Sequence, residues 1–102
     1  MDIGFTVIKE AIMATAYDVA FKYEILNEFI ASVDGLIGRS FPKKLPSDIA
    51  KLSDEVWDIY RKVKLERNLD VLDGYEKRLS EIRDYVNARN DKLKKQQKRM
   101  VG

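Results

Sequence analysis

Apolar residues recur along this chain in three helical runs, separated by a glycine- and proline-rich stretch and by one slip of register. From about residue 5 to residue 32, Ile8, Ile12, Val19, Tyr23, Leu26 and Ile30, with Val33 just beyond, fall on one stripe at roughly 100° per residue. That spacing predicts a long first helix. A second apolar set, Val7, Ala14, Phe21, Ile25 and Phe29, lies about a third of a turn or more away. A helix that is apolar on two sides is usually buried on two sides. One side is expected to meet the rest of the chain and the other a second copy, with Phe21, Ile25 and Phe29 as the homodimer face. In a monomer, the Leu36–Leu45 segment would instead cover that face through Ile37 and Phe41.

The stretch Asp34–Ser47 holds Gly35, Gly38, Pro42 and Pro46 and reads as a connection, since glycine supplies a helix-ending positive φ and proline removes a donor. Ser47 is a suitable N-cap for a second helix, with Asp48 placed well for the helix dipole. In that helix Ile49, Leu52, Val56, Ile59 and Val63 are spaced 3, 4, 3, 4, a heptad seam joined by Tyr60 and flanked by Trp57. Leu72, Tyr75, Leu79, Ile82, Val86 and Leu93 make a second seam with Arg89 in its polar slot. Continuing the first seam from Val63 lands on Glu66 and Asp70, so the phase slips between Arg67 and Asp73. An αα-hairpin with Asn68, Asp70 or Asp73 as the new cap explains the slip, and a single kinked helix is the competing reading.

These elements predict an all-α protein: a small antiparallel three-helix bundle, made of a long N-terminal helix and an αα-hairpin, and dimeric. The packed domain is expected over residues 1–93, followed by a basic tail over 94–102 that is frayed or disordered. One hundred and two residues suit one domain, of which 45% are hydrophobic and 35% charged. The chain begins Met1-Asp2 without a basic leader, and its most apolar stretch, Ile3–Ile37, is interrupted by Lys9, Glu10, Asp18, Lys22, Glu24 and Glu28. A membrane span needs about 18 residues with few or no charges. A cytoplasmic protein with no membrane partner is therefore expected.

The chain has neither cysteine nor histidine. That excludes thiolate chemistry and Cys-based metal sites, and removes the commonest general base and metal ligand. Carboxylates remain: Glu55 and Asp58, then Asp70 and Asp73, are the spacing an acid-only, magnesium-dependent all-α hydrolase would use. On the helical wheel, however, Asp54, Glu55 and Asp58 point about 90° or more from the Ile49–Val63 seam, where converging ligands would have to lie. Thr6, Thr15, Ser32, Ser40, Ser47, Ser53 and Ser80 have no histidine to activate them. Gly35-Leu36-Ile37-Gly38 lacks the Gly-Lys-Ser/Thr of a phosphate loop. The aromatic residues sit at helical spacing among aliphatic ones, as core or interface residues do. No catalytic, cofactor or metal site is expected.

Charge is unevenly placed. Up to Ser32 there are two basic and five acidic residues; from Arg89 onward there are six basic residues and one acidic. Arg89, Lys92, Lys94, Lys95, Lys98 and Arg99 form a cationic arm of the kind that neutralises phosphates without reading bases. The same cations also complement a helix C-terminus and promote solubility. Two functional expectations follow: a non-enzymatic assembly protein acting as a homodimer, or a protein that binds nucleic acid non-specifically through this arm.

Overall fold

Three helices account for nearly all of the chain: α1 spans Asp2–Ser40, α2 Ser47–Val63 and α3 Leu69–Val101. The computed structural model describes the backbone of residues 2–101 and the side chains of residues 17–95. Cross-helix contacts set the directions. Lys22 of α1 meets Asp73 and Glu76 near the start of α3, and Phe29 meets Arg83 further along, so α1 and α3 run parallel. Asp48 meets Arg89 while Glu55 meets Arg78, so α2 runs antiparallel to α3. The bundle is up-down-up, and the expected αα-hairpin is present.

The core is the meeting of the three predicted stripes. Leu26, Ile30 and Val33 of α1, Ile49, Val56, Ile59 and Val63 of α2, and Leu72, Leu79, Ile82 and Val86 of α3 are buried. Val19, Tyr23, Leu52, Tyr60, Tyr75 and Leu93 pack against them, half-buried. Side chains of Ile8, Ile12 and Thr15 lie outside the described residues. Among the described residues, no helix is long and apolar enough to cross a membrane.

The predicted end of the first helix was wrong. Instead of stopping near Ser32, α1 runs through Gly35 and Gly38 to Ser40, and among the described residues no glycine adopts a positive φ. The reason lies in the next turns. Ile37 and Phe41 continue the Val33 stripe into the core, and both are buried. Their burial outweighs the ~1 kcal/mol that glycine costs a helix. The Phe41 N–H still donates to the Ile37 carbonyl at 3.0 Å. Termination waits for Pro42, which restricts the residue before it and has no N–H to give.

Ser47 is likewise not the cap of α2. Pro46 occupies that position with ψ 154°, its carbonyl accepting the Ala50 N–H at 2.8 Å, and Ser47 is the first helical residue. At the other corner Asn68 is the cap: its Oδ1 accepts the Asp70 N–H at 2.9 Å and its carbonyl the Leu72 N–H at 3.0 Å. Glu66 steadies the approach by accepting from the N–H groups of Arg67 and Asn68.

An added Cβ at Gly38 or Gly74 would meet nothing within 4 Å. Gly38→Ala and Gly74→Ala are therefore expected to stabilise by about 0.4–1 kcal/mol each. In thermal denaturation each should raise Tm by several degrees, on the order of 4–8 °C per kcal/mol at this size. A glycine that ended a helix would give the opposite sign. At Gly35 the gain should be smaller, because a Cβ there would lie 3.1 Å from the Arg39 guanidinium.

Candidate interaction surfaces

The length mismatch of the helices creates the surfaces. At about 1.5 Å per residue, the 39 residues of α1 and 33 of α3 far outrun the 17 of α2. Lys22 lies level with Asp73, so α1 projects N-terminally beyond the start of α3, and α3 projects C-terminally beyond the end of α1. The molecule measures 74 × 24 × 16 Å. Its accessible surface of 7840 Å² exceeds the roughly 5,900 Å² of a close-packed monomer of this mass.

The proposed homodimer residues do not share one environment. Phe21 is 63% exposed, whereas Ile25 is half-buried and Phe29 packs against the core. The Arg83 guanidinium lies over the Phe29 ring, 5.3 Å from its centroid, and holds it to α3. The residue that does stand beside Phe21 is Tyr17, one turn earlier and 76% exposed. Its i, i+4 spacing from Phe21 was the available signal; it sits outside the heptad-like set that drew attention to Phe29. Side chains of Val7 and Ala14 lie outside the described residues. Ile37 and Phe41 cannot shield Phe21, since both are core residues and Ile37 lies about 24 Å further along the helix.

Three of the four carboxylates weighed as metal ligands, Glu55, Asp58 and Asp73, are engaged in ion pairs. Glu55 accepts from Arg78 through both oxygens, one at 2.9 Å from Nη2, and Arg78 also reaches Glu81 at 3.2 Å. That guanidinium holds the Glu55 carboxyl below its ordinary range. Asp58 is held low chiefly by Lys62 at 2.8 Å, and Asp73 faces Lys22 at 2.9 Å. Lys22 is in turn raised, first by Glu76 and then by Asp73. Among the described residues no three acidic side chains gather as a metal would need.

Asp48 is the anchor that sequence spacing did not single out. It accepts the Tyr85 hydroxyl at 2.7 Å and Arg89 Nε at 3.1 Å, and these two bonds depress its acidity range in that order. Arg89 is thus part of the α2–α3 seam and differs from the rest of the proposed arm. Lys92, Lys94 and Lys95 are exposed and enter none of the ion pairs among the described residues. Lys98 and Arg99 have side chains outside the described residues, on a helix that continues past Leu93 to Val101. Along the seam Asp48, Leu52, Glu55, Arg78, Ile82 and Tyr85 line a groove open to solvent, in which Glu55 is paired with Arg78 and Asp48 accepts the Tyr85 hydroxyl.

The pH response follows from these pairs. Asp48, Glu55 and Asp58 have folded values below the unfolded ones, so their contribution is complete above the usual carboxylate range and is lost as pH falls through the folded values. Without histidine or cysteine, no side chain of ordinary pKa titrates between about pH 5 and 8. Tm is expected to be flat over that span and to decline below about pH 4. Glu55→Gln should flatten part of the acid decline while lowering Tm slightly at pH 7, because half-exposed pairs are worth little.

No protein-family model, no curated protein and no solved structure matches this chain.

Proposed function

We propose that the protein is a non-enzymatic helical assembly protein that acts as a homodimer through α1. The observation that carries this reading is the exposed aromatic pair Tyr17–Phe21 on the turns where α1 leaves the bundle. Residues 3–21 also contain 13 apolar residues, counting alanine, a larger share than the sequence of a solvated helix usually has. A second copy is the occupant that supports this best: it is present at the same concentration, and two-fold self-pairing is the commonest way soluble chains cover such a surface. The surplus of accessible area is more than the roughly 800 Å² per chain that a standard dimer contact removes, so such a contact can be accommodated. Light scattering across a concentration series tests it. A mass of roughly twice 11.8 kDa is expected at micromolar concentration, and a monomer at high micromolar concentration would refute the reading.

A second reading, non-specific binding of nucleic acid, is favoured by the exposed Lys92, Lys94 and Lys95. Its mark is affinity for duplex DNA that falls steeply with salt.

A further inference from the structure

The cations of α3 do not stand alone. Because α1 and α3 run parallel, the end of α1 and the connection to α2 come to the same end of the bundle as residues 89–95 of α3. The connection is pinned there at three points. Phe41 is buried, Leu45 packs against the same core as Leu93, and Asp48 is bonded to Tyr85 and Arg89. Arg39, Lys43 and Lys44, all exposed, thereby belong to the same end of the bundle as the exposed Lys92, Lys94 and Lys95.

The charge is concentrated as a result. Residues 39–51 carry four cations and one carboxylate, and residues 85–95 again carry four cations and one carboxylate. Of those two carboxylates, Asp48 is already engaged by Tyr85 and Arg89, leaving Asp91. Residues 1–38 and 52–84 together bear nine cations against fifteen carboxylates. The chain's small overall charge of +2 thus conceals a strongly basic end on a net acidic body.

We infer that this composite end, built from Arg39, Lys43 and Lys44 together with Lys92, Lys94 and Lys95, binds the phosphodiester backbone of nucleic acid. The inference rests on the second reading above and changes its site from a tail to a folded surface. Five of the six cations are lysines, which act as point charges and do not select the planar, bidentate geometry of carboxylates or base edges. Such a set suits a polyanion of dense, regular charge. A lipid surface would call for apolar residues beside the cations, but Ile37, Phe41, Leu45 and Leu93 point into the core. Among the described residues the exposed aromatic at this end is Tyr85, whose hydroxyl is given to Asp48, whereas Tyr17, Phe21 and Leu65 lie toward the opposite end.

The test is titration of a labelled 20-base-pair duplex at 50, 100 and 200 mM salt with the full chain and two triple variants. One variant carries Arg39→Gln, Lys43→Gln and Lys44→Gln; the other carries Lys92→Gln, Lys94→Gln and Lys95→Gln. Six neutralised phosphates give a salt slope near −5.4, so wild-type affinity should fall about 2,000-fold between 50 and 200 mM. Either triple variant should halve that slope and show only about a 40-fold fall. All six side chains are exposed, so the melting curves should be unchanged. If the 39/43/44 variant keeps the wild-type affinity and slope while the α3 variant loses them, the composite site is wrong and the arm alone is right. If the wild type shows no salt-dependent binding at 50 mM, both the site and the second reading fail. Binding to anionic phosphatidylserine vesicles but not to duplex would overturn it in favour of a lipid surface.

Discussion

Leu79→Asp is expected to abolish the folded state. Leu79 is fully buried about a third of the way along α3, where the α3 seam meets those of α1 and α2. Placing an unpaired carboxylate there costs several kcal/mol, to which is added the roughly 2–3 kcal/mol lost with the leucine. The whole domain has on the order of 5–15 kcal/mol to lose. Circular dichroism should show a collapse of the helical signal at 25 °C, and Val56→Asp should behave alike from the facing seam. Lys77→Asp, exposed on the same helix, is the control and should melt near the wild type. A Leu79→Asp chain with the wild-type Tm would show that the three stripes do not form the core.

Replacing both Tyr17 and Phe21 by glutamate is expected to give a folded monomer. In a two-fold dimer the change removes four aromatic side chains from the contact. At a conservative ~1.5 kcal/mol each, that is about 6 kcal/mol, or on the order of 10⁴-fold in the dissociation constant. Light scattering should then report the single-chain mass where the wild type reports twice that, and helicity should be retained because neither residue packs in the core. Phe29→Lys is a poorer probe, since Phe29 lies against the core beneath Arg83 and its loss would lower stability as well. If the double variant and the wild type have the same mass at every concentration, the α1 face is not the assembly surface.

The surfaces were less legible than the core, for a reason that individual residues make plain. The set Phe21, Ile25 and Phe29 follows from helical spacing, but spacing cannot say how far round α1 its neighbours reach. α3 lies close enough to claim Phe29, and Ile25 is half-buried, so the exposed pair is one turn nearer the N-terminus, at Tyr17 and Phe21. Arg89 followed the same logic. Along the chain it is the first cation of a basic run, yet in space it is the partner of a carboxylate 41 residues away.

Sequence alone determined what depends on period and local chemistry. The seams of α2 and α3 were readable because heptad spacing repeats over four turns or more, and the corner at Asn68 because a register slip cannot be absorbed by one straight helix. The absence of histidine and cysteine, too, is a property of composition that no fold alters. Tertiary structure decided whatever balanced a weak local preference against burial. Gly35 and Gly38 favour ending a helix by only about 1 kcal/mol each, and the burial of Ile37 and Phe41 exceeds that. Tertiary structure also decided which charges meet. The pairing of Asp48 with Tyr85 and Arg89, and the placement of residues 39–44 at the same end of the bundle as residues 92–95, depend on the direction and register of helices joined by short connections. Those are fixed only when three apolar stripes close on one another.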